Sequence, residues 1–169
     1  GAGERIRVGR LYAEHVFTRP FGEPSARRVE RLPDGYSLPS VPERTVPWIS
    51  AASLAALPRG ATAIDPEPSE DGAELVFGLG HTDSNQHVNS LIYPRIFEEA
   101  GLRRLATLGR GADGPLPTAM EIAFRKPCFA GDRVRTSVQA FVSDETQGVT
   151  SVLHQEQAKS VHATGRIYF

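Results

Sequence analysis

Asp83-Ser84-Asn85-Gln86-His87-Val88-Asn89-Ser90-Leu91-Ile92-Tyr93 is a polar run that turns apolar at its end. Asp83, Asn85, His87 and Asn89 fall at every second position, a spacing that sets all four on one side of an extended segment. A helix is expected to follow. From about Ser90 to Leu108, Ile92, Ile96, Phe97, Ala100, Leu105 and Leu108 recur at helical spacing, and Gly109, Gly111 and Gly114 then stop the pattern. Glu98 and Glu99 precede Arg103 and Arg104, which permits i,i+4 pairing. Pro94 lacks the N–H that an interior turn needs. The regular helix is therefore expected to begin close to Tyr93, with Asn89 to Ile92 as a tighter lead-in turn.

Outward from this run the pattern is that of strands. Glu74 to Gly78 reads as a short strand before the loop. After the helix, Thr118 to Arg125 alternates with Met120, Ile122 and Phe124 on one face, and Gly131-Asp132 makes a turn into Val134 to Val142. Asp144-Glu145-Thr146-Gln147-Gly148 closes a hairpin into Val149 to Gln155, and Ser160 to Phe169 is the last strand. The order is strand, one long helix, then four strands in antiparallel succession, an α+β arrangement. A sheet with one helix must wrap that helix or leave its apolar face wet.

The first part of the chain differs in kind, with nine of the 13 prolines in its first 68 residues. Arg5 to Phe17 and Ala26 to Leu32 read as strands. From Pro33 to Asp71 the prolines remove backbone donors too often for a central strand or a long helix. Only Ile49 to Leu57, opened by Ser50 or Ser53 and stopped by Pro58, suits a short helix. Residues 1–72 therefore read as a proline-rich arm laid over the surface, with Trp48 as its anchor, and 73–169 as the folded domain.

Composition narrows the classes of function. The 169 residues carry 19 basic and 20 acidic side chains, a net charge of −1, with 40% apolar residues. That length suits one domain with an arm. Without a basic excess, neither nucleic acid nor an anionic membrane is an expected partner. The single cysteine, Cys128, excludes an internal disulfide and any multi-cysteine metal site, and fits a reducing compartment. No run approaches 18 apolar residues, so no membrane insertion is expected. The opening residues lack the layout of a secretory signal, and the expected location is cytoplasmic.

At a helix start, unpaired N–H groups and the positive end of the dipole favour a developing negative charge. A carbonyl oxygen resting there is polarised, and a neighbouring carboxylate can attack it or activate water, which suits acyl transfer. The same residues have structural readings. Asn89 or Ser90 can simply cap the helix, and by composition alone capping is favoured over catalysis. Asp83 can be a turn residue bonding its own backbone. His87 with His81 and Asp83 is the one metal set to weigh, yet no zinc spacing occurs and His15, His154 and His162 lie far away in sequence. Neither Gly78-Leu79-Gly80 nor Gly109-Arg110-Gly111 forms a phosphate loop. No metal or cofactor is expected, and Cys128 reads as a packed thiol.

Asp83 to Tyr93 resembles the D-x-N-x-H-V-N-N-x-x-Y signature of acyl-carrier-protein thioesterases of the hotdog superfamily. Thr82 to Tyr93 with Phe97-Glu98-Glu99-Ala100 also resembles acyl-CoA thioesterases of the 4-hydroxybenzoyl-CoA type. The similarity continues through Arg125-Lys126-Pro127 and Gly131-Asp132, covering Ala73 to Phe169. Arg27 to Pro33 resembles the tail of the first hotdog of two-hotdog relatives, although a complete first hotdog is absent. The resemblance implies the hotdog fold, in which a curved antiparallel sheet wraps one central helix.

The resemblance also implies roles. Asp83 matches the nucleophile or general base, and Asn85 and His87 match the pair that orients the thioester or water. Ser90 matches the position whose backbone N–H binds the thioester oxygen, with Asn89 and Tyr93 in the same substrate-binding stretch. Glu98 sits where some relatives place an acid on the helix and is a candidate second carboxylate. The catalytic Glu of the plant-type strand is replaced by Pro127. Glu121 lies roughly 20 Å back along an extended strand and cannot simply substitute for it. The implied activity is hydrolysis of an acyl-CoA or acyl-acyl-carrier-protein thioester to acid and thiol. Because hotdog sites are built across two copies, a homodimer or higher homo-oligomer with sheets joined edge to edge is implied. The alternatives are a non-catalytic acyl-binding or scaffold protein and, less favoured by the loop spacing, a dehydratase acting on acyl thioesters.

Overall fold

The computed structural model describes residues 49–110, 116–144, 146–158 and 160–169, together with positions 9, 11, 13, 23–26, 29 and 36. The chain forms two units, Gly1–Trp48 and Ile49–Phe169. In the first, Pro24–Ala26 makes a 3-10 turn. The strands expected over Arg5 to Phe17 and Ala26 to Leu32, and the Trp48 anchor, lie outside the described residues but for isolated positions.

The second unit opens with the expected short helix α1 (Ala51–Ala55), capped where Ser50 Oγ accepts from the Ser53 N–H at 3.1 Å. Three two-residue strands follow, β1 (Thr62–Ala63), β2 (Ser69–Glu70) and β3 (Leu75–Val76). Then come α2 (Ile92–Thr107), β4 (Ala119–Phe124), β5 (Arg133–Ser143), β6 (Thr146–Gln155) and β7 (Val161–Tyr168). All pairing is antiparallel, in the order β1-β5-β6-β7-β4, with β2 and β3 also on β5.

The strand expected before the loop is thus only the last of three pieces laid along β5, where Thr62 faces Val142, Ser69 faces Val138 and Leu75 faces Val134. Residues read as surface arm join the sheet. Pro66 and Pro68 have no N–H to give, and an edge is where a ladder tolerates that interruption. Asp65 bridges the first gap. It is buried, one carboxylate oxygen accepts from the Ala140 N–H at 2.8 Å, and the other accepts from Arg104 at 2.7 Å (Nε) and 2.6 Å (Nη2). Asp71 likewise takes Arg103 Nη2 at 2.6 Å. The helix arginines therefore staple the broken edge. The expected i,i+4 pairing is made by Glu99, to Arg95 at 3.4 Å and Arg103 at 3.7 Å, whereas Glu98 has no ion pair among the described residues.

A turn at Ser90 and Leu91 leads into α2, as expected. Pro94 is the third helical residue, where its missing N–H would have had no helical partner. Tyr93, Phe97, Ala100, Gly101 and Leu105 form the buried face. Against it lie Val134, Val138, Ala140, Val149, Leu153, Ala163 and Ile167 of the sheet. A Cβ on Gly165 would stand 2.6 Å from the Phe97 ring, and one on Gly101 2.8 Å from Val149, so both glycines allow helix and sheet to touch. The β5–β6 reversal is tighter than expected. Ser143 faces Thr146, with Asp144 left-handed at φ 54°. Gly148 belongs to β6, against the Phe141 ring and the Ile167 carbonyl.

Arg166 alternates with Gly165 and Ile167 and so points to the other face of the sheet. There its Nη2 donates to the Ser53 and Ala56 carbonyls at 2.6 and 3.1 Å, holding α1 by its C-terminal end, and Nη1 donates to Glu121 at 3.2 Å. Thr164, on that same face, has a buried hydroxyl without a hydrogen-bond partner among the described residues. Urea denaturation should show Asp65→Ala losing about 3 kcal/mol, because Arg104 and the Ala140 N–H lose their acceptor. Thr164→Val should be neutral or gain about 1 kcal/mol, since it removes an unmatched polar atom at constant shape.

Candidate active site

The loop between β3 and α2 is built by backbone bonds. Leu79–His81 form a 3-10 turn that His81 closes, its Nδ1 accepting from the Gly78 N–H at 2.9 Å. Thr82 pairs with Val88, the Asp83 N–H donates to the His87 carbonyl at 2.8 Å, and the Asn89 N–H donates to the His81 carbonyl at 2.8 Å. The result is a miniature hairpin with Asp83 to His87 at its tip. Inside the tip, the Gln86 N–H donates to the Asp83 carbonyl at 3.0 Å, with Gln86 left-handed at φ 64°. Asp83 Oδ1 accepts from the Asn85 N–H at 2.8 Å, an Asx turn.

This corrects the alternation argument, because a segment that reverses cannot present every second residue on one side. The turn places Asp83, Asn85 and His87 on the exposed tip, whereas Asn89 is half-buried at the base. There Asn89 Oδ1 accepts from the Leu91 N–H and its carbonyl from the Ile92 N–H, both at 2.9 Å. Asp83 is thus a turn residue, as one structural reading had it, whereas Asn89 closes the lead-in turn and the N-cap of α2 itself is Leu91, without a side-chain cap bond. Only one Asp83 oxygen is used in the turn among the described residues. Ser90 is exposed at the helix start, and its N–H finds no acceptor among them.

A second segment fastens the hairpin from beneath. The Val88 N–H donates to the Cys128 carbonyl at 2.8 Å, and His87 bridges Phe129, whose ring stands edge-on at 5.2 Å. Asp132 holds that segment, its Oδ2 accepting from the Phe129 N–H at 2.8 Å and its carbonyl from the Phe77 N–H at 3.0 Å. Gly131, left-handed at φ 94°, donates to the Phe77 carbonyl at 2.7 Å. Sequence reasoning saw only a Gly-Asp turn here. The supporting role of Asp132 follows from a partner three residues back that the turn brings within reach.

Tyr93 is buried, with its ring against Phe77 and Phe124, so it forms a wall below the loop. Burial, then the neighbouring Cys128 side chain, drives the Tyr93 hydroxyl well above its usual range. Burial pushes the Cys128 thiol up to about 11, opposed by the influence of Tyr93 and helped by the charge of Asp132. Cys128 is a packed thiol, as expected. At the vacant carboxylate position, the Pro127 carbonyl lies 3.1 Å from His162 Nδ1. Glu121 is engaged with Arg166 on the other face of the sheet. Glu98 is half-buried on α2. Around the loop stand five exposed apolar side chains, Val76, Leu79, Leu91, Phe124 and Phe129. Among the described residues no group of His, Cys, Asp or Glu is arranged to hold a metal.

No protein-family model matches the chain, and no curated protein is similar to it. Solved structures are. The E. coli PaaI protein from the phenylacetic acid degradation operon aligns over 70% of this chain and 84% of its own, with a TM-score of 0.53 and 18% identity. A gentisyl-coenzyme A thioesterase aligns over 57% of this chain and 84% of its own, with a TM-score of 0.51 and 18% identity. A thioesterase from Thermus thermophilus, complexed with coenzyme A and Zn, aligns over 57% and 74%, with a TM-score of 0.50 and 17% identity. With the sheet order and the single long helix among the described residues, these likenesses establish the hotdog fold for this chain.

The raised thiol pKa has a measurable consequence. Between pH 9 and about 11 folded Cys128 keeps a proton that the unfolded chain releases, so its contribution is complete below pH 9 and is lost as pH rises toward 11. Stability should fall across that window, and Cys128→Ala should flatten part of the fall in denaturation curves taken at successive pH values.

Proposed function

We propose that this chain hydrolyses an acyl thioester, acyl-CoA or acyl-acyl-carrier-protein, to the free acid and thiol. The observation that carries the reading is an exposed carboxylate, Asp83, on a hydrogen-bonded hairpin tip that leads directly into α2, where the Ser90 N–H has no partner among the described residues. In this reading the thioester carbonyl accepts from the Ser90 N–H. Asp83 attacks the carbonyl carbon or takes a proton from the attacking water, and Asn85 and His87 orient the reacting group. Asn89 shapes the donor site by holding the Leu91 N–H, and Tyr93 supports it from below. Glu98 is the candidate second carboxylate, consistent with its lack of an ion partner among the described residues. The similar structure complexed with coenzyme A favours CoA as carrier. No helix among the described residues is long and apolar enough to cross a membrane.

A homodimer completes the reading. Among the described residues β4 pairs only with β7, whereas the opposite edge of the sheet is broken into the short pieces β1, β2 and β3. A second copy joined along β4 would pair that edge and cover apolar side chains beside the loop.

A hydrolysis screen over acyl-CoA and acyl-carrier-protein thioesters is the direct test. Asp83→Asn keeps an acceptor for the Asn85 N–H and removes the charge, so kcat should fall by about 100-fold or more while the fold stays intact. His87→Ala should cost roughly tenfold or more. Undiminished turnover in Asp83→Asn would remove Asp83 from the chemistry, and acyl binding without turnover in the native chain would favour the binding-protein alternative. Solution mass should correspond to at least two chains.

A further inference from the structure

We infer that His162 is a positioning residue for the reaction at the hairpin: its ring holds the segment after β4, and that segment holds Asp83 and His87 in place. The inference rests on the thioesterase reading. His162 touches no reacting atom, because it alternates along β7 with Thr164 and Arg166 and so lies on the face of the sheet turned away from α2.

The need for such a residue follows from Pro127. The β4–β7 ladder ends where Phe124 faces Ala163, and beyond it the His162 carbonyl still accepts from the Arg125 N–H at 2.8 Å and the Lys126 N–H at 3.2 Å. Pro127 has no N–H to carry the pairing further. The His162 side chain takes over, its Nδ1 donating to the Pro127 carbonyl at 3.1 Å. Since a carbonyl only accepts, Nδ1 carries the proton. His162 is 6% exposed, and its Nε2 is buried with no hydrogen-bond partner among the described residues. An unpaired buried nitrogen costs stability, so an imidazole is a poor filler at this position. Its polar role among the described residues is the bond to Pro127.

From Pro127 the hold passes directly to the hairpin. Cys128, next in the chain, accepts from the Val88 N–H at 2.8 Å, and Phe129 pairs with His87. The His87 carbonyl in turn accepts from the Asp83 N–H across the hairpin at 2.8 Å. Residues 127 to 129 thus tie β7 to the backbone that carries both functional side chains. Every link lies within one chain, so the hold is the same whether one copy or two complete the site. Ser90 follows α2 instead, which is seated by the packing of Phe97 on Gly165. Loosening the segment therefore displaces the carboxylate and the imidazole more than the donor that receives the thioester carbonyl.

The test compares His162→Phe, which keeps a ring without a donor, with His162→Asn, whose side-chain N–H stands close to where Nδ1 does. Amide hydrogen exchange is read at Val88 relative to β5 and β6. Turnover is read as kcat and KM on whichever of butyryl-, benzoyl- and palmitoyl-CoA the native chain cleaves fastest. His162→Phe, shown folded by its thermal transition, should speed Val88 exchange by about tenfold. It should lower kcat by about tenfold while KM stays within about threefold. His162→Asn should recover most of both losses. A folded His162→Phe with native Val88 exchange or native kcat overturns the inference, as does a His162→Asn no better than His162→Phe. Should His162→Phe fail to fold, His162→Gln, whose N–H stands nearer the Nε2 position, replaces it with the same outcomes expected. If no thioester is cleaved, the hydrolase reading fails by itself, and Val88 exchange alone decides whether His162 holds the hairpin.

Discussion

The contact between Phe97 and Gly165 sets how helix and sheet meet in the Ile49–Phe169 unit. A sheet and a helix that each bury one face must meet closely enough to exclude water, and at this point the meeting is ring against bare backbone. With α2 seated there, its first turn is held over the end of β4 and the segment that follows. The hairpin that precedes the helix is delivered to the same place. Site geometry is therefore a consequence of core packing, transmitted through one helix turn from Phe97 to Tyr93.

Two kinds of residue share the site, and they contribute differently. Cys128, Asp132, His81 and Asn89 hold the hairpin through bonds to its backbone or to the segment beneath it. Such bonds orient without reacting. Asp83, Asn85, His87 and Ser90 are left exposed by that framework. Asp83 belongs partly to both groups, since one oxygen shapes the tip while the carboxylate remains open to solvent. In the proposed reading, a turn tied by its own carboxylate would lose little entropy on binding substrate.

The two sheet edges are managed in opposite ways. One is interrupted by prolines and fastened to α2 by Asp65–Arg104 and Asp71–Arg103, which leaves no long run of free donors and acceptors for another chain. The other edge, β4, is a regular six-residue strand, with Phe124 exposed at its end. The asymmetry directs any edge-to-edge association to the side where the candidate site lies.

Much of this was legible from residue order. Alternation located β4 to β7, helical spacing located α2, and Ser50 with Pro58 bracketed α1, because strand period, helix period and capping are each set within a few neighbouring residues. The identities of the polar loop residues were legible for the same reason. What the tertiary structure alone decided was how that loop is folded and which charges meet. Asp83 to Asn89 was expected to run straight, yet bonds to Cys128 and between the hairpin's own strands bend it into a turn. Arg103 and Arg104 were expected to pair along their helix, yet their principal partners are Asp71 and Asp65, 32 and 39 residues away. Spacing along a chain encodes periodicity, but a partner dozens of residues distant is chosen only when the sheet edge and the helix are packed side by side.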